Sequence, residues 1–100
     1  MKFMMTFHWA PDTEQRTEAI ERFLRTGGLP PEGVRLVGRW TSADLGSGFD
    51  LLETDDAAKL TEFAYQWSDL MELAIVPVLE DAELADVLGR VAINGPAPAA

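Results

Sequence analysis

Cysteine is absent from the 100-residue chain. That excludes disulfides, thiolate metal sites and cysteine nucleophiles. Histidine occurs once, as His8. There is no His/Glu helix motif, EF-hand loop or glycine-rich phosphate cradle, so neither a metal nor a cofactor is expected. The acids Asp55, Asp56, Glu80, Asp81 and Glu83 fall at helix starts, where the helix dipole accounts for them. Basic residues are scarce: 8 Lys and Arg stand against 17 Asp and Glu, a formal net charge of −9. Such a field repels a phosphate backbone. The arginines are dispersed along the chain, so no nucleic-acid partner is expected. Long apolar runs are missing too, and nothing approaches the ~20 residues that span a membrane. The apolar N-terminal run is broken by Thr6 and His8 and precedes no small-residue cleavage site, so it does not read as a secretory signal. These absences point to a soluble, cytoplasmic protein with no membrane partner.

What is present fits one domain, expected over residues 1–93, with a disordered small-residue tail over 94–100. The chain is organised around GVRLVGRWTSADLGSGFDLLET, residues 33–54, which reads as two strands joined by a Gly/Ser/Asp-rich turn. Both strands carry apolar residues on both parities, as strands do in a sheet with material on each face. Upstream, Phe3, Met5, Phe7 and Trp9 share one parity, and Met4, Thr6 and His8 the other, so residues 2–9 form a strand. Asp12 then caps a helix to about residue 25, with Ala19, Ile20, Phe23 and Leu24 on its apolar stripe and Gly27-Gly28 at its end. Thr54 is placed to cap a second helix to about residue 69, with Leu60, Phe63, Ala64, Trp67 and Leu70 facing in. A fourth strand spans about 72–79, and Pro77 requires it to lie at an edge. A last helix covers about 81–91, with Leu84, Val87, Leu88 and Val91 facing in.

The order β-α-β-β-α-β plus a C-terminal helix is the ferredoxin-like α+β pattern, with a four-stranded antiparallel sheet in the order 4-1-3-2. Two helices cover one face of that sheet. The other face keeps too many apolar residues to stand in water. A second copy packed face to face is the expected solution, a homodimer. The alternative is that the C-terminal helix folds across the face.

Four segments, MKFMMTFHWAPDTEQR, GGLPPEGVRLVGRW, GFDLLETDD and FAYQWSDLMELAIVPVLED, together resemble a family of small bacterial proteins. These are grouped as a domain of unknown function within the dimeric α+β barrel superfamily. The resemblance spans about residues 1–91 and implies a ferredoxin-like protomer whose sheet pairs with a second copy as a barrel. It brings no established activity. The wider superfamily includes cofactor-independent monooxygenases, isomerases, cyclases, haem-degrading enzymes and stress-linked proteins.

Few residues carry chemistry. His8, the lone histidine, is the residue type suited to general acid or base work. The plainer reading is a half-buried strand histidine with a hydrogen-bond partner. Trp40 and Trp67 would form an aromatic wall for a flat apolar ligand, with Tyr65 at the flank; the plainer reading is that both indoles fill the core. For the hairpin charges an Arg39–Glu53 or Arg35–Asp50 cross-strand pair is expected. The sharper alternative places Glu53 and His8 in one cavity as an acid/base pair. The leading expectation is a dimeric module holding a small apolar or aromatic ligand between sheet and helices, lined by His8, Trp40, Glu53 and Trp67, with Arg39 and Tyr65 adjoining. A cofactor-free enzyme of monooxygenase, isomerase or cyclase type using His8 for proton transfer, and a structural or interaction protein with a solid barrel, are the alternatives.

Overall fold

A computed structural model describes residues 1–94. The elements are β1 (Lys2–Trp9), α1 (Thr13–Thr26), β2 (Arg35–Thr41), β3 (Ser47–Glu53), α2 (Ala57–Trp67), β4 (Met71–Val78) and α3 (Asp81–Asn94). The four strands lie in the order β2-β3-β1-β4, all neighbours antiparallel, which is the ferredoxin-like arrangement. Pro77 sits on β4, an edge strand, where its missing N–H interrupts no inner ladder.

Local chemistry sets the element ends. Asp12 caps α1 by accepting from the Gln15 N–H at 3.0 Å. Gly27, at φ +72°, closes α1 with its N–H on the Phe23 carbonyl at 2.7 Å. Asp56, not Thr54, caps α2. Thr54 instead donates to the Gly33 carbonyl at 2.8 Å and accepts from the Asp56 N–H at 3.1 Å, which ties the end of β3 to the start of β2.

The covered face of the sheet carries Phe3, Met5 and Phe7 of β1 and Leu52 of β3, buried under Ala19 of α1 and Leu60, Phe63 and Trp67 of α2. Asp50 shares that face and is fully buried. Arg22 staples the two helices together. It grips Asp69 through two hydrogen bonds of 2.9 and 2.8 Å, donates to the Gln66 carbonyl at 2.7 Å, and lies 5.3 Å from the Trp67 ring centre.

Two expectations about helices need correction. Of the α1 stripe only Ala19 is buried, while Phe23 and Leu24 stay exposed. The α3 stripe does not face in: Leu84, Leu88 and Val91 are exposed and Val87 is half-buried. The chain measures 55 Å along its longest axis and has a radius of gyration of 17.4 Å, against the ~13 Å of a compact chain this long. An amphipathic stripe shows that a helix needs an apolar neighbour. It does not show that the neighbour belongs to the same chain. Of the tail expected over 94–100, Asn94 belongs to α3, and residues 95–100 lie outside the described residues.

Candidate functional site

A cavity of about 240 Å³ lies between the covered face and the two helices. Strand alternation sends Met5, Phe7 and Trp9 of β1, and Met71 and Leu73 of β4, to its floor. Phe23 of α1 and Phe63 and Trp67 of α2 roof it. Leu45, at the tip of the β2–β3 hairpin, lines it from the side. Among the described residues its only charged wall residues are Arg39 and Asp50.

A bulge creates that pair. β2 pairs with β3 as Arg35↔Glu53 and Leu36↔Leu52, then skips Val37 and resumes as Gly38↔Leu51 and Arg39↔Asp50. One extra residue reverses the faces of everything after it. Arg39 is thereby turned onto the covered face opposite Asp50. Its Nε donates to Asp50 Oδ1 at 2.6 Å and its Nη2 to Oδ2 at 3.0 Å. Nη1 and Nη2 also donate to the Gly27 and Gly28 carbonyls at 3.2 and 2.6 Å, and the guanidinium lies 5.6 Å from the Phe23 ring centre. Arg39 therefore joins three things: the hairpin, the C-terminal end of α1, and a carboxylate removed from water. The pairings expected from sequence, Arg39–Glu53 and Arg35–Asp50, are both replaced. Arg35 holds Glu53 instead, through Nε at 3.0 Å and Nη2 at 2.7 Å. Hydrogen bonding to Arg35, reinforced by its charge, draws the Glu53 pKa below the usual glutamate value.

The structure divides the six expected site residues. Arg39 and Trp67 line the cavity. His8, Trp40 and Glu53 lie on the opposite, open face of the sheet. Trp40 and Trp67 thus form no common wall. His8 is exposed, with Ser47 and Glu72 as its cross-strand neighbours. Glu53 sits across from Lys2, six positions along β1, so the two are about 20 Å apart and make no acid/base pair within one protomer. Tyr65 is 80% exposed on the outside of α2. His8 therefore cannot reach a molecule held in the cavity of its own chain.

Sequence reasoning missed Asp50, Phe23, Leu45 and Met71 as wall residues. For Asp50 the signal was present: it shares parity with the buried Leu52. For His8 it was present too, since the fully apolar parity of β1 excludes it from the covered face. For Arg39 it was not, because a bulge leaves no mark in the alternation.

The open face carries Met4 and Thr6 of β1, Phe49 and Leu51 of β3, Val76 and Val78 of β4, and Trp40 of β2. Phe49, Val76 and Trp40 are exposed there among the described residues. Its charged rim holds Arg35, Glu53, Lys2 and Glu80, with the Lys2 ammonium in contact with the Glu80 carboxylate. Among the described residues no cluster of metal-ligating side chains occurs, and no helix is long and apolar enough to cross a membrane.

Residues 1–92 match the model of a domain of unknown function, DUF3303, and the chain belongs to that family. No curated protein matches it. Among solved structures, that of Rv0793 from Mycobacterium tuberculosis is similar at 16% identity and a TM-score of 0.49, with 82% of this chain and 99% of that chain covered.

Proposed function

We propose that the chain works as a two-fold homodimer, a dimeric α+β barrel, in which each copy holds a small apolar or aromatic molecule between its own sheet and helices. The cavity carries the ligand reading. At about 240 Å³ it exceeds the roughly 150 Å³ that accommodates benzene in an engineered apolar cavity. One substituted ring, or two fused ones, fits that space. The charged wall residues are already engaged with each other and with backbone carbonyls. Asp50 has no exposed surface. What a guest meets is thus mainly Met, Phe, Trp and Leu carbon. Binding would rest on apolar contact, worth about 25 cal/mol per Å² removed from water.

The open face supports the assembly. Exposed Phe49, Val76 and Trp40 form, with Met4 and Leu51, an apolar layer of the kind that a second sheet covers. A two-fold axis presents the same layer from each copy, so one patch covers the other.

Toluene is the direct probe. Calorimetry is expected to show one site per chain, and saturation at about a hundred times Kd to stabilise the fold by about 2.7 kcal/mol. Heat of dilution alone, with no thermal shift, overturns the ligand reading. Sedimentation equilibrium at micromolar concentration is expected to give the mass of two chains; a single-chain mass overturns the dimer.

A further inference from the structure

We infer that Leu45 is the cover of the cavity and controls how tightly a guest is retained; this deepens the ligand reading above and rests on it. Leu45 is the one non-glycine residue with positive φ, +62°, among those described. Leucine is poorly suited to that conformation, which glycine and asparagine adopt readily.

The turn does not need the leucine side chain. The Leu45 N–H donates to the Ser42 carbonyl at 2.9 Å. Asp44 Oδ1 accepts from the Gly46 N–H at 2.9 Å and from the Ser42 hydroxyl at 2.7 Å. The Ser47 N–H donates to Ser42 Oγ at 3.0 Å, and the Trp9 N–H donates to the Gly46 carbonyl at 3.0 Å, pinning the tip to β1. Backbone and small polar side chains thus define the tip without any contribution from the isobutyl group.

That group lines the cavity while 45% of the residue stays in water. A large apolar side chain is therefore held at an unfavourable backbone angle, half exposed, on the boundary between cavity and solvent. Neither condition favours the empty fold. Both make sense once a guest fills the space beneath, because guest and leucine then remove each other's apolar surface from water. Backbone strain kept at a ligand boundary is where strain tends to be kept.

The test uses toluene and the full chain. Leu45→Gly and Leu45→Asn both suit the left-handed conformation and remove the cover. Each is expected to weaken toluene binding by about tenfold, the change that follows from losing roughly half of a leucine's burial, with a melting temperature no lower than that of the unaltered protein. Leu24→Ala, which removes an exposed leucine away from the cavity, is expected to leave toluene binding unchanged. Toluene affinity within about twofold of the unaltered protein in both Leu45 variants overturns the cover alone. So does a melting temperature several degrees lower in both, which would make Leu45 a structural part of the turn. Failure of the unaltered protein to take up toluene removes the cavity reading and the cover together.

Discussion

The covered and open faces of this sheet are both rich in apolar side chains, yet they treat polar groups in opposite ways. On the covered face Phe3, Met5, Phe7 and Leu52 lie under two helices, and the acid among them, Asp50, is fully buried and doubly bonded to Arg39. On the open face Phe49, Val76 and Trp40 are exposed, and the charges Lys2, Arg35, Glu53 and Glu80 gather at one end in contact with one another. A core tolerates a charge only where every contact is satisfied. A surface awaiting a partner keeps its centre apolar and moves its charges to the rim. The difference therefore separates a face completed by its own chain from one suited to completion by another.

The largest test of that contrast is Asp50→Ala. It leaves the Arg39 guanidinium without its carboxylate beside an apolar cavity. Breaking such a pair costs about 3–5 kcal/mol, and urea unfolding should show a loss of that size. Arg39→Met combined with Asp50→Leu should recover most of it, because apolar replacement of both partners is often neutral. If Asp50→Ala costs under ~1 kcal/mol, the covered face is looser than its burial implies.

Two glycines sharpen the comparison at equal chemistry. A Cβ on Gly48 would collide with the buried Phe7 ring and stand 2.8 Å from the Trp40 carbonyl. A Cβ on Gly38 would meet the Trp40 ring at 2.7 Å. Phe7 is locked in the core, whereas Trp40 is 58% exposed and free to swing away. Gly48→Ala should cost about 2–3 kcal/mol, and Gly38→Ala less than ~1 kcal/mol, both measured by chemical denaturation. Equal costs would mean that the open face is packed as firmly as the covered one.

Much of this was legible in the chain. Alternation in β1 gave its two faces, the stripe Leu60, Phe63, Ala64, Trp67 and Leu70 is buried as its spacing predicts except at the half-buried Ala64, and Pro77 correctly assigned β4 to an edge. The cavity was harder. Its charged wall depends on the bulge at Val37, which reverses every later face of β2 without altering composition. Grouping His8, Trp40 and Glu53 with Trp67 failed for a simpler reason: neighbours along a strand point opposite ways, so Arg39 and Trp40 never shared one wall. The α3 stripe shows the remaining limit, since periodicity reveals a need for cover and not its source.

The open face has its own test in Phe49→Lys. Phe49 is 43% exposed and pairs with Trp40 and Thr6 near the middle of that face. A charge there should weaken the proposed dimer by about 2 kcal/mol, roughly thirtyfold in its dissociation constant. The circular dichroism of the protomer should be preserved. Sedimentation unchanged from the unaltered protein would locate the interface elsewhere.

The smallest effect lies at the charged rim and has a definite sign. Arg35 lowers the Glu53 pKa in the folded chain, first by hydrogen bonding and then by charge. A depressed carboxylate pKa contributes stability that is fully present above the unfolded value, about 4.3 for glutamate. That contribution is lost as pH falls through the folded value. Glu53→Gln removes the titration but keeps a hydrogen-bond acceptor. Its unfolding midpoint should therefore depend less steeply on pH below about 4.3 than that of the unaltered protein, and the gap between the two at neutral pH should shrink in high salt. The pair is exposed, so this change should be smaller than any above. Parallel acid limbs for the two proteins would mean that Arg35 holds Glu53 no more tightly than water does.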